Sequence, residues 1–168
     1  MGGADINALV RNLINALGYA SFGIGALEVA LNSPMKFNFE TLTADLATPN
    51  LEKWLIVVAS VIMTTVQMQD MEDQVGDAQR GRLSVPVQFG EVPARWSVAI
   101  PMLFWGLFCP YFWRCAWPGY IVCTSLAFTI SYRVLTFRTV PDDKLTFRMW
   151  NLWVLSLYCL PLIRSLLV

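Results

Sequence analysis

The chain alternates between long apolar runs and short polar segments, a pattern typical of helices that cross a membrane. Five apolar runs stand out, at residues 12–31, 54–69, 98–113, 117–137 and 149–168. A helix that spans the hydrocarbon needs roughly 17 to 25 residues, so the second run must extend back to Leu51 or forward beyond Gln69. The pattern predicts an all-α integral membrane bundle of about five transmembrane helices.

Composition supports this interpretation and leaves little room for a soluble unit. Hydrophobic residues make up 56% of the chain and charged residues 14%, and the mean hydropathy is +0.51. These values lie outside the averages for soluble domains. We therefore treat residues 1–168 as a single, partial transmembrane domain.

The distribution of lysine and arginine predicts the orientation, because cytoplasmic flanks and loops carry the excess of positive charge. With five spans, the N-terminus shares a side with the loops at 70–97 and 133–148. That side holds eight lysines and arginines against four on the other side, the latter being Lys36, Lys53, Arg114 and Arg164. The bias predicts that the loop after the second span is cytoplasmic.

That loop begins with the most charged stretch of the sequence, DMEDQVGDAQRGRLSVP at 70–86. On a helix turning about 100° per residue, Asp70, Asp73 and Asp77 would lie within roughly a 60° arc. Oxygen ligands in a chain without histidine suit Mg²⁺, which substrate phosphates often complete. Arg80 and Arg82 can pair with phosphate oxygens. The alternative is a solvated charged loop without a ligand.

The order of these residues favours the specific interpretation. The pattern DxxDxxGDxxxGRxSxP, continued by Gly90, Ala94 and Arg95, resembles the second aspartate-rich motif of the UbiA superfamily of intramembrane prenyltransferases. Residues 11–30 are similar to the fifth helix of fungal UbiA-like proteins. In that family the second motif follows the sixth of nine helices. The five spans here therefore resemble the last five, and the first aspartate-rich motif is missing.

The resemblance implies a lipid-accessible cavity that binds an isoprenoid diphosphate with Mg²⁺. It implies a metal site at Asp70, Asp73 and Asp77, which would also be the catalytic residues, and a diphosphate site at Arg80, Arg82 and Lys144, the last in the predicted loop 138–148. The expected surroundings are the lipid bilayer of an internal membrane. We expect no nucleic-acid partner, whereas a partner chain or an oligomer would supply the missing helices.

Three functions stay open at this point. The first is a prenyltransferase that ionises an allylic diphosphate and transfers the prenyl group to an acceptor. The second is a UbiA-type terpene cyclase of terpenoid or meroterpenoid secondary metabolism. The third is a truncated, inactive remnant or half of a split enzyme, because a start at Met1 just before a fifth helix resembles a truncated product or partial gene model.

Side chains inside the spans carry weaker predictions. Aromatic and methionine residues can line an apolar tunnel and face a cation, or simply contact lipid and other helices; they are Phe22, Met63, Met68, Phe104 and Trp105. Glu28 is ionisable and lies within the first span. Its position three residues before Leu31 favours contact with water or Lys36 over a place in the cavity.

Overall fold

The computed structural model describes residues 7–35 and 50–167, and these residues are helical with short connections. The elements are α1 (Ala8–Leu31), α2 (Leu51–Thr65), a 3₁₀ helix (Val66–Asp70), α3 (Gln74–Gln79), α4 (Val85–Phe89), α5 (Glu91–Phe112), α6 (Trp117–Thr136) and α7 (Val140–Leu167). The described part contains no strand, and each predicted apolar run lies on one long helical segment. The prediction of an all-α bundle is confirmed.

Three helical segments are long and apolar enough to cross a membrane: Ala8–Ala30, Leu51–Asp70 and Glu91–Phe112. The second joins α2 to the 3₁₀ helix. The short second run is extended back to Leu51, one of the two extensions predicted, and forward by one residue to Asp70. Helices α6 and α7 have 20 and 28 residues. They are more polar, and α7 carries two aspartates in its first turn.

Asparagine residues cap the first two helices. Helix α1 begins at Ala8, four residues before the apolar run predicted at 12–31, and α2 begins at Leu51. The side chain of Asn7 accepts hydrogen bonds from the backbone N–H groups of Leu9 and Val10. The side chain of Asn50 accepts one from the N–H of Lys53. These caps satisfy donors that have no partner inside the helix.

The segment 138–148, predicted as a loop, is mostly helix, and that prediction was wrong. Helix α7 begins at Val140, because Thr139 starts it: its hydroxyl accepts a hydrogen bond from the N–H of Asp142 at 3.3 Å and donates one to the Asp142 carboxylate at 2.5 Å. This arrangement is close to a capping box. The acidic residues thus lie in the first turn of a helix, where they are stabilised by its dipole.

Hydrogen bonds from tryptophan indoles join the long helices inside the bundle. Trp105 on α5 donates to the hydroxyl of Thr64 on α2 at 2.9 Å, and Trp150 on α7 donates to Thr65 at 3.0 Å. Such bonds satisfy the indole N–H, so that a large ring can be buried. Helix α2 therefore lies centrally, in contact with α1, α5 and, around Thr65, α7.

A buried ion pair fixes one end of the bundle. Arg95 on α5 donates to both carboxylate oxygens of Asp143 on α7, at 2.8 and 2.7 Å, and to the carbonyl of Val134 on α6 at 2.8 Å. The Arg95 and Asp143 side chains are 1% and 2% exposed. A bidentate pair with this geometry holds the ends of three helices in register.

Candidate functional site

The aspartate-rich segment is not one helix, which corrects the expectation of a single carboxylate-bearing helical face. Asp70 is the last residue of the 3₁₀ helix, and Asp73 precedes the six-residue helix α3, which contains Asp77. The chain bends between them, at residues 71–73. The spacing of 100° per residue therefore does not apply across the segment.

The two arginines of the motif form ion pairs with two of its aspartates. Arg80 forms ion pairs with Asp73 and, at 3.4 Å, with Asp77. Arg82 reaches Asp77 at 3.2 Å. Asp77 is 3% exposed, whereas Asp73 and Arg80 are each 53% exposed. The hydrogen bonds to Asp73 and Asp77 raise the pKa of Arg80, so this guanidinium stays charged.

Two glycines of the motif allow this arrangement. A Cβ at Gly76 would overlap the Asp73 carboxylate and come within 3.1 Å of the Arg80 guanidinium. Gly81 has a φ of +66°, and the N–H of Arg82 donates to the carbonyl of Asp77 at 2.9 Å. This left-handed ending of α3 favours glycine.

Asp70 has a partner that the sequence analysis did not identify. Its carboxylate accepts a hydrogen bond from Arg11 of α1 at 3.0 Å, and the two side chains are 6% and 14% exposed. Asp77 and Arg82 are close enough to act on Asp70 electrostatically. The only signal in the sequence was a single arginine at the edge of the first apolar run.

Lys144 lies on the first turns of α7, next to the Asp143 that binds Arg95. Its side chain is exposed, and it makes no hydrogen bond or ion pair with the residues that the structure describes. Because Asp143 binds Arg95 near the start of α5, the backbone of Lys144 lies at the end of the bundle where α5 follows the motif. Its role toward diphosphate stays a prediction.

A cleft of about 580 Å³ opens beside the motif. Its walls are α1 and α5, its floor is α2 with the 3₁₀ helix, and α4 closes it at the motif end. The lining is almost entirely apolar and includes Met63, Val85, Phe89, Trp96 and Ile100. Ligand pockets commonly have this size and this apolar character.

Only some of the residues predicted to line an apolar tunnel lie in the cleft. Met63 lines it, whereas Met68 is fully buried in the core and Phe22 is 85% exposed. Glu28 accepts a hydrogen bond from the backbone N–H of Met35 at 2.9 Å, so its carboxylate satisfies the turn after α1. Lys36 lies outside the described residues. Trp96 is part of the cleft wall.

The donor set of the motif suits Mg²⁺, because it consists of carboxylates without thiolate or imidazole. Within 7–35 and 50–167, no group of three or more acidic, cysteine or histidine side chains is close enough to form a metal cluster. Mg²⁺ commonly uses one or two carboxylates together with substrate phosphates. The residues present fit that mode of binding.

Comparison with known proteins defines the class to which this helical bundle and its acidic loop belong. A sequence profile of the UbiA prenyltransferase family matches residues 8–155. The chain therefore belongs to the UbiA prenyltransferase family. Family membership and the spanning helices together identify an integral membrane protein.

Two curated relatives are terpene synthases. Fumagillin β-trans-bergamotene synthase of Aspergillus fumigatus is 23% identical over 174 residues, which cover 98% of this chain and 53% of that protein. Somaliensene A/B synthase of Streptomyces somaliensis is 27% identical over 128 residues, covering 71% of this chain and 41% of the relative. The chain thus spans about half the length of these relatives or less. No solved structure matches the sequence.

Proposed function

We propose that the chain binds an isoprenoid diphosphate at the Asp70–Arg82 segment and holds its hydrocarbon tail in the cleft between α1 and α5. The observation that carries this proposal is that the cleft and the carboxylates share one element. Gln67, which lines the cleft, and Asp70 both belong to the 3₁₀ helix. A polar head group and an apolar tail would fit this juxtaposition.

In the proposed reaction, the carbon–oxygen bond of the allylic diphosphate breaks and leaves a cation on the hydrocarbon. Arg80 and Arg82 would turn from the carboxylates to the diphosphate oxygens, since guanidinium groups match phosphate geometry. Mg²⁺, bound by Asp70, Asp73 or Asp77 and by diphosphate, would offset the charge developing on the leaving group. The apolar cleft walls would keep water from the cation.

The fate of the cation gives two candidate activities. Transfer to an acceptor is the activity of a prenyltransferase. Cyclisation is favoured by the names of the two relatives, which are both synthases, and by a cleft that is lined by uncharged side chains. The cleft is open along one side, and we propose that further helices, in a longer or partner chain, close it.

The test is release of inorganic diphosphate from geranyl, farnesyl and geranylgeranyl diphosphates by the purified chain in lipid nanodiscs, with Mg²⁺ or with a chelator. We expect metal-dependent release, and analysis of the products separates transfer from cyclisation. A chain that releases no diphosphate and binds no substrate would support the remnant or split-enzyme interpretation.

Asp73→Ala and Glu72→Ala form a matched pair for this assay. Asp73 binds Arg80, whereas Glu72 has no hydrogen bond or ion pair within the described part of the chain. We expect Asp73→Ala to lower metal-dependent release by about tenfold or more, as for loss of a metal ligand or its neighbour, and Glu72→Ala to change it little. Equal losses would contradict the assignment of Asp73.

A further inference from the structure

A hydrogen-bonded polar array lies in the wall of the cleft, beside the motif. It consists of Asn12 on α1, Gln67 on the 3₁₀ helix and Ser97 on α5, all of which line the cleft. Asn12 and Gln67 are each only 4% exposed. Polar amides are costly to bury in an apolar wall unless they are satisfied or serve a ligand.

The array lies on the membrane side of Asp70. Gln67 and Asp70 are three residues apart in a 3₁₀ helix, so their side chains lie on the same side and about 6 Å apart along the axis. Asn12 directly follows Arg11, which binds Asp70. A substrate with its diphosphate at Asp70 would therefore place its first carbons next to this array.

Within the array, every amide donor is used by the protein. Nδ2 of Asn12 donates to Oε1 of Gln67 at 2.9 Å and to the carbonyl of Met63 at 3.2 Å. Nε2 of Gln67 donates to the carbonyls of Thr64 and Ser97, at 2.8 and 3.1 Å, and to Oγ of Ser97 at 3.2 Å. The Ser97 hydroxyl itself donates to the carbonyl of Ala94 at 2.8 Å.

The Asn12 amide oxygen, in contrast, accepts no hydrogen bond from any described residue. Because its NH₂ group is held by two acceptors, the amide cannot turn to present a donor instead. The Asn12 amide oxygen is thus the negative end of a fixed dipole in the wall of a cleft that Phe89 and Trp96 also line. This environment is complementary to positive charge rather than to a neutral hydrocarbon or an anion.

We propose that Asn12, held by Gln67 and by the carbonyl of Met63, stabilises the allylic cation that forms when the diphosphate leaves. This inference rests on the proposed function and adds a catalytic residue to it. The electron pair of the carbon–oxygen bond departs with diphosphate, and the positive charge spreads over the allylic carbons. The cation is quenched when a carbon–carbon double bond or an acceptor donates an electron pair to it. A proton is then lost to diphosphate or water.

The test compares two probes that differ in charge. One is a trialkylammonium analogue of the farnesyl cation, added with Mg²⁺ and inorganic diphosphate; the other is farnesyl thiodiphosphate, whose hydrocarbon is neutral. Binding of both to the chain in nanodiscs is measured for the wild type and for Asn12→Leu. We expect the variant to bind the ammonium probe about tenfold more weakly, equivalent to about 1.4 kcal/mol, and the thiodiphosphate almost unchanged.

Asn151→Leu is the matched control, because Asn151 is an exposed asparagine on α7 whose amide donates to the carbonyl of Phe147. It should change neither affinity. Asn12→Ser, which withdraws the amide oxygen with less change in bulk, serves if Asn12→Leu does not fold, and it should also weaken only the ammonium probe.

The outcomes separate this inference from the proposed function. If the wild type binds neither probe, the proposed function fails and the inference fails with it. If the wild type binds both probes and the Asn12 variants bind the ammonium probe normally, the inference is overturned while the proposed function stands. Equal weakening of both probes would assign Asn12 to the shape of the cleft and would also overturn it.

Discussion

At the scale of single residues, Gly76 permits Asp73 and Arg80, at the two ends of α3, to form an ion pair. Gly76→Ala would push the Asp73 carboxylate out of its present position. Because the pair is half exposed, its loss should change stability little, and the better helix propensity of alanine offsets part of that change. We expect near-normal stability but weaker Mg²⁺-dependent binding of farnesyl thiodiphosphate, measured by titration in nanodiscs.

Gly18→Ala is the control for this prediction. Gly18 lies on α1, and a Cβ there would meet nothing within 4 Å. The substitution should leave the affinity for the thiodiphosphate unchanged. If Gly76→Ala also binds normally, the present position of Asp73 does not matter for the ligand.

The three aspartates also show where helical periodicity fails to predict the directions of side chains. The spacing of Asp70, Asp73 and Asp77 predicts a common face only if one regular helix continues through them. The chain instead changes from α to 3₁₀ geometry at Val66 and bends after Asp70. The residues of the motif were found from the sequence, but their relative directions were not.

At the scale of elements, the Arg95–Asp143 pair joins α5 to α7. Arg95→Met would leave the buried Asp143 carboxylate without its cation, and loss of one partner of a buried pair costs about 3 to 5 kcal/mol. We expect a marked fall in the midpoint of thermal unfolding in detergent. The double variant Arg95→Met with Asp143→Leu should recover much of the loss, because no buried charge is left unpaired.

Arg138→Met is the matched control for the element prediction. Arg138 is exposed, and among the residues that the structure describes its guanidinium donates only to the nearby carbonyl of Leu135, at 3.3 Å. It should change the unfolding midpoint little. A double variant that is as unstable as Arg95→Met would contradict the ion-pair explanation and point instead to the bonds between Arg95 and the end of α6.

At the scale of the whole molecule, α1 should carry the chain from the motif side of the membrane to the other side. Gln79 is exposed in the motif segment, and Ser33 is exposed just after α1. Single cysteines at these positions, in a Cys159→Ser background that removes the exposed native thiol, should react with a membrane-impermeant maleimide from opposite sides of sealed vesicles. The charge bias predicts that Gln79→Cys is cytoplasmic.

Permeabilised vesicles provide the control, since both cysteines should then react. Labelling of both positions from the same side of intact vesicles would show that α1 does not span. The Cys159→Ser background without an added cysteine gives the signal from Cys109, Cys115 and Cys123, which are buried and should react slowly.

Much of the architecture follows from local patterns. The apolar runs predict the helices because a helix in lipid satisfies its own backbone, but α1 begins at Ala8, four residues before the run predicted at 12–31. The start of α7 was missed because hydropathy does not detect a charged first turn. The available signal for this helix start was the Thr139–Asp142 cap. A cap satisfies backbone N–H groups and therefore leaves no trace in the hydropathy pattern.

The sequence by itself determined the class of the protein, its helices and the identity of the acidic motif, because these depend on neighbouring residues and on composition. Only the tertiary structure decided that Arg11 binds Asp70, that Arg95 binds Asp143, and that Gln67 binds both Asn12 and Ser97 in the wall of a cleft. Those contacts join residues 59, 48, 55 and 30 positions apart. Periodicity within one helix carries no information about which other helix lies beside it, since packing of the whole bundle sets that choice.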